Sequence, residues 1–213
     1  MKKVLFLMSL VLCLSPRAQA QTGAPAPAVQ PGVTAEAPKF LPDEVTGREL
    51  RDLAGRAFRL GDFRGRVYVI NLWATWCGPC RMEIPGLNRV YEDYRARGVE
   101  FVGLTTENPE EASETVRQFV EEFGMTYRVA WGDRETLLKL FAWNAPQQSP
   151  PRRSSTAIPQ TFVVAADGQV VLRVRGYNPR VPEMIRAGVR KALELSPPPP
   201  APAQPAAGGG GRR

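Results

Sequence analysis

Trp76-Cys77-Gly78-Pro79-Cys80 constrains this chain more than any other segment. Before it, Val67-Tyr-Val-Ile-Asn-Leu72 is a short β-branched run that reads as a buried strand. After it, the run from Cys80 to Tyr91 reads as a helix. The two cysteines therefore sit where a strand hands over to the first turn of a helix. Residues three apart on a helix are neighbours at roughly 5–6 Å, inside the approximately 4.4–6.8 Å that a disulfide spans. A helix N-terminus adds unpaired N–H groups and about half a unit of positive charge. That field favours the thiolate of Cys77 and makes it the attacking sulfur. A strand–CxxC–helix unit points to redox chemistry.

The N-terminal end names a compartment for that chemistry. Lys2-Lys3, an apolar run from Val4 to Leu14 and Ser15-Pro-Arg-Ala-Gln-Ala20 have the layout of a signal peptide with an Ala-x-Ala-like cleavage site. A spanning helix needs about 20 apolar residues, so the run is too short for a comfortable anchor and cleavage after Ala20 is expected. Cys13 then leaves with the leader as an ordinary apolar residue; Leu12 is too bulky for a lipoprotein signal. Retention of the segment would instead anchor the chain to the membrane. Cys77 and Cys80 remain, in a periplasmic or otherwise extracytoplasmic setting where thiols tend to be oxidised. A pair so close in sequence closes a tiny loop and gains little as a structural staple.

The formal net charge of +7 looks basic. Loss of Lys2, Lys3 and Arg17 takes 28 basic residues to 25 against 21 acidic, a net +4. Arg212 and Arg213 lie on the tail and Arg152 and Arg153 in a loop. No basic stripe with interleaved aromatics emerges, so a solvated surface is expected and nucleic acid is not an expected partner.

Composition divides the rest. Residues 21–38, rich in Ala, Pro, Gly and Thr, read as a flexible tether, and residues 196–213 as a disordered Pro/Ala/Gly tail. Residues 39–195 suit one domain. Within it, Glu49–Leu53 and Ala57–Leu60 read as a hairpin around Ala54-Gly55-Arg56. Val99–Leu104 and Tyr127–Trp131 read as strands. Val116, Phe119, Val120 and Phe123 mark an amphipathic helix. Leu137, Leu138 and Phe141 suggest a short helix. Thr161–Ala165 and Gln169–Arg175 flank Ala166-Asp167-Gly168, a hairpin signal. Met184 to Leu193 form a closing helix. This order implies an α/β fold, a mixed central sheet with helices on both faces.

On these residues the chain resembles thioredoxin-fold proteins across nearly all of 39–195. Trp73-Ala-Thr-Trp-Cys-Gly-Pro-Cys80 matches the active-site run, Pro85 the proline that kinks the active-site helix, and Ile158-Pro159 the cis-proline loop. The presequence, Asn71-Leu-Trp-Ala and Glu83 are more similar to the extracytoplasmic TlpA/ResA/DsbE-like thiol:disulfide oxidoreductases. The resemblance implies a three-layer thioredoxin-like sandwich, here with an N-terminal β-hairpin extension. It also implies a reductant in cytochrome c maturation or related metalloprotein assembly, with a membrane thiol transporter as electron donor.

Two residues carry alternative readings. Proline before a strand needs no function; the resemblance implies a cis Ile158–Pro159 bond whose backbone pairs with a substrate strand. Cytoplasmic thioredoxins carry a buried Asp where this chain has Asn71. The resemblance offers Glu83, three after Cys80, as the replacement: a partly buried carboxyl with raised pKa that moves the proton of Cys80. Otherwise Glu83 is a solvated helix residue.

The expected chemistry is thiol–disulfide exchange without a cofactor other than the Cys77–Cys80 disulfide. Cys77 attacks, Cys80 resolves through Glu83, and the partner protein leaves as a dithiol. Trp76, Gly78, Pro79, Ile158 and Pro159 are the candidate substrate-contacting residues, with Trp73 adding to an apolar rim or lying in the core. The proline-rich 144–155 loop is either a surface insertion or part of the partner surface, and a monomer is expected. The absence of histidine favours a reductant over a disulfide-forming oxidase or isomerase. A Cu(I) metallochaperone using the two thiolates is the rival from another class; a structural zinc site would need more ligands.

Overall fold

The computed structural model describes residues 34–35, 39–143 and 157–196. In chain order these form β1 (Thr34–Ala35), β2 (Lys39–Phe40), α1 (Asp43–Thr46), β3 (Glu49–Asp52), β4 (Ala57–Arg59) and a 3-10 turn at Leu60–Phe63. Then follow β5 (Tyr68–Trp73), α2 (Gly78–Arg95), β6 (Glu100–Thr105), α3 (Pro109–Glu122), β7 (Arg128–Trp131) and α4 (Arg134–Ala142). The chain closes with β8 (Gln160–Val164), β9 (Gln169–Arg175) and α5 (Val181–Leu195). The strands make one sheet in the order β1-β9-β8-β5-β6-β7-β3-β4, with β2 also paired to β9. β5, β6 and β7 run parallel; the other pairings are antiparallel.

β5 is buried along its whole length, as a strand covered on both faces must be. Its alternation sorts the core. Val69 and Trp73 pack with Ile84 and Leu87 of α2, Phe119 of α3 and Ile185 of α5. Tyr68, Ile70 and Leu72 pack with Val45 of α1 and Leu140 and Phe141 of α4. The helices thus cover both faces, as the sequence predicts. At the α2–α5 crossing, a Cβ on Gly86 would stand 2.4 Å from Pro182 Cγ, so only glycine admits this approach.

The predicted 49–60 hairpin forms as β3 and β4 and joins the main sheet through β7. Asp52 shapes its turn by accepting the N–H groups of Ala54 and Arg56 at 2.9 and 3.0 Å. Leu60, expected to end the second strand, instead opens the 3-10 turn, where Asp62 accepts the Arg59 N–H at 2.7 Å. α1 has no counterpart among the predicted elements. Thr34 and Ala35, inside the stretch read as a tether, pair with Arg175 and Val174; a backbone ladder of two residues leaves no periodic pattern to read. The leader, the rest of the tether, the 144–155 loop and the tail beyond Ser196 lie outside the described residues. Among the described residues no helix is long and apolar enough to cross a membrane.

Candidate active site

From the end of β5 the chain passes through Ala74–Trp76 to Cys77, which caps α2. Cys77 is extended (φ −84°, ψ 101°), its Sγ accepts the Cys80 N–H at 3.2 Å, and its carbonyl accepts the Arg81 N–H at 3.2 Å. Pro79 falls in the first turn, where a missing N–H is tolerated. Cys77 and Cys80 form a disulfide with S–S 2.02 Å and Cα–Cα 5.2 Å. Cys77 is 4% exposed and Cys80 0%, so an incoming sulfur meets Cys77 first.

Around the pair, Trp76 is 71% exposed and Gly78 and Pro79 are also at the surface. Trp73 is not part of that rim. It is fully buried and stacks on Phe119 with ring centroids 4.9 Å apart, because alternation along β5 turns it toward α3. Thr75 is held from two sides. Its N–H and hydroxyl donate to the Glu107 carboxylate at 3.0 and 2.6 Å, and Thr105 Oγ1 donates to the same group at 2.8 Å. Its carbonyl accepts from Arg81 at 3.4 Å, and Arg81 in turn lies over the Phe119 and Phe123 rings and pairs with Glu122.

Glu83 lies one helical turn beyond Cys80, on the same side of α2. It is fully buried (1% exposed), not partly buried as expected, and the reading as a solvated surface residue is excluded. Asn71 Nδ2 donates to its Oε2 at 3.0 Å, and Thr161 Oγ1 donates to its Oε1 at 3.0 Å. Asn71 Nδ2 also donates to Thr161 Oγ1 at 2.9 Å. The sheet builds this triad: Asn71 and Thr161 are direct partners between β5 and β8, and Asn71 shares the α2 face with Val69 and Trp73. Burial pushes the Glu83 carboxyl up to about 7, while the hydrogen bonds from Thr161 and Asn71 pull the other way. Burial, and secondarily the charge of Glu83, also raise the Tyr127 phenol.

The other wall is the loop before β8. The Ile158–Pro159 bond is cis, Ile158 is half-buried and Pro159 buried. Gln160 stands opposite Leu72, so this loop reaches the end of the sheet from which Cys77 departs. The Gly176 N–H holds the Pro159 carbonyl at 2.9 Å. The fold therefore gathers Trp76, Cys77, Gly78, Pro79, Cys80, Glu83, Ile158 and Pro159 at one end of the central strands. Sequence reasoning missed Glu107 and Thr161. Thr161 was in reach, two after Pro159 on a predicted strand; the Glu107–Thr75 contact spans 32 residues and has no local signature. Among the described residues no group of three or more His, Cys, Asp or Glu side chains could hold a metal ion.

Residues 33–173 match the model of the AhpC/TSA family. The chain is 28% identical over 141 residues to thiol-disulfide oxidoreductase ResA of Bacillus thuringiensis subsp. konkukian, covering 66% of this chain and 68% of that one. ResA of Geobacillus thermodenitrificans is 33% identical over 127 residues, 60% of this chain and 64% of that one. Among solved structures, a thiol:disulfide interchange protein of the thioredoxin family from Chlorobium tepidum superposes with a TM-score of 0.55 at 27% identity, over 68% of this chain and 92% of that one. A DsbE-type structure from the same organism shares the fold, with a TM-score of 0.59 at 23% identity, over 74% and 98%. The chain belongs to the AhpC/TSA family and is a thioredoxin-fold thiol:disulfide oxidoreductase similar to ResA.

Proposed function

We propose that this enzyme is an extracytoplasmic reductant of protein disulfides, acting in cytochrome c maturation or related metalloprotein assembly. The observation that carries the reading is the buried Glu83 carboxyl, poised near neutrality one turn below a cysteine pair at a helix N-terminus. The Cys77 thiolate attacks a partner disulfide; one partner sulfur leaves as thiolate and the other is held in a mixed disulfide. Cys80 gives its proton to Glu83 and attacks Cys77 Sγ. The second partner sulfur leaves, and the Cys77–Cys80 disulfide remains. Both partner thiolates take up protons, so the partner gains two electrons and the enzyme loses two. Trp76, Gly78 and Pro79 face the partner beside Cys77, and the Ile158–Pro159 backbone aligns its polypeptide. A membrane thiol transporter resets the disulfide. The leader-like sequence at residues 1–20 supports the compartment, and the monomer is taken as the working unit.

The reduction potential of the Cys77–Cys80 couple tests this reading. Equilibration in dithiothreitol and glutathione buffers, with alkylation of the thiols, is expected to give about −230 mV or below. A value near about −120 to −180 mV would mark an oxidase or isomerase and remove the reductant role.

A further inference from the structure

The α4 face of the sheet buries a second polar group, one that the exchange steps do not use. Arg173 of β9 is fully buried, with its guanidinium over the Trp143 and Phe162 rings at 5.6 and 5.1 Å. It donates to the carbonyls of Leu140, Phe141 and Trp143, where α4 ends, and to Gln160 Oε1 at 2.6 Å. The cation thus closes the carbonyl end of a helix, where positive charge is favoured. A guanidinium offers donors only, so it fixes which end of the Gln160 amide faces it. The other end, Nε2, then donates to the Ala157 carbonyl at 2.8 Å.

Gln160 therefore passes the constraint from Arg173 to the loop before β8. The carbonyls on either side of Ile158 are both tied into the fold, Ala157 by Gln160 and Pro159 by Gly176. No hydrogen bond among the described residues engages the backbone of Ile158 itself. We propose that Arg173, acting through Gln160, is a positioning residue that holds the Ala157–Pro159 edge for a partner's polypeptide. It sets affinity for protein disulfides and leaves the chemistry at Cys77 alone. The proposal rests on the reading of that edge as the strand-pairing site.

Single-turnover oxidation of the reduced full chain, followed by tryptophan fluorescence, tests it with two disulfides: a synthetic peptide with one internal disulfide, and oxidised glutathione. Gln160→Glu keeps an acceptor for Arg173 but has nothing to donate to Ala157. Its half-saturating peptide concentration should rise roughly three- to tenfold, the scale of one lost hydrogen bond. Its limiting rate, and its rate with glutathione, should stay at the wild-type values. Arg173→Lys, which keeps the charge and gives up the fork, should shift the same concentration in the same direction. An unchanged peptide concentration in Gln160→Glu overturns the proposal. So does an equal loss with both disulfides, which would make the network merely structural. Wild-type protein that reacts with neither disulfide overturns the exchange reading and the proposal with it.

Discussion

The two faces of the sheet each bury one ionisable cluster, and neighbouring residues of β8 serve them: Thr161 reaches Glu83 on the α2 face, Gln160 reaches Arg173 on the α4 face. Both clusters are almost free of solvent, yet their chemistry differs. Glu83 has hydroxyl and amide partners that can face either a carboxylate or a carboxylic acid, and its titration falls near neutrality. Arg173 donates to carbonyl and amide oxygens, which can only accept. Burial makes an ionisable group a switch or a fixture according to what its partners can accept.

Arg173→Met removes the guanidinium donors from the carbonyl end of α4 and from Gln160 and should cost about 3–5 kcal/mol in chemical denaturation. That loss should be the same at acid and alkaline pH. A loss confined to one end of the pH scale would mean that the fixture titrates after all.

Glu83 should behave in the opposite way. Its carboxyl is raised from 4.5 to about 7 in the fold, so between these values the native state holds a proton that the unfolded chain has released. Stability is then greatest below the unfolded value, falls as pH rises through about 7 and levels off above it, a drop of the order of 3 kcal/mol. Glu83→Gln should flatten the curve. Resolution of a mixed disulfide should accelerate through the same window in the wild type and lose that inflection in the variant. A wild-type denaturation profile that is flat between pH 5 and 8 would remove the switch.

The smallest effect is expected at Thr161. Thr161→Val deletes the larger of the two hydrogen-bond contributions that favour the Glu83 carboxylate. The inflection in the resolution rate should move up by about one pH unit or less, with the reduction potential measured alongside to separate proton from electron effects. A shift downward would show that Thr161 favours the protonated acid.

What the sequence reveals of this site follows the range of the interactions. The handover from β5 to α2 is local, a β-branched run ending at a proline-bearing first turn, and it is legible residue by residue. The position of Trp73 in the core is also local, since its parity on β5 matches Val69 and not the rim. Arg173 is the opposite case. A basic residue in Gln-Val-Val-Leu-Arg-Val-Arg reads as a solvated side chain, and apart from Gln160 its acceptors are backbone carbonyls 30 or more residues away. Carbonyls carry no side-chain identity, so no pattern in the chain announces them. α1 and β1 escape notice for a related reason: four residues and two residues are too short to display a period.

The cysteine link joins residues only three apart, so it removes little chain entropy from the unfolded state. The free energy that separates the oxidised from the reduced native protein must then arise largely where the sulfurs sit, at the capped start of α2. Unfolding and electron transfer form two sides of one closed cycle, in which about 30 mV corresponds to about 1.4 kcal/mol. Melting the two redox forms side by side would yield the poise of the active site relative to the same cysteine pair in the unfolded chain. For this fold a calorimeter reads as an electrode.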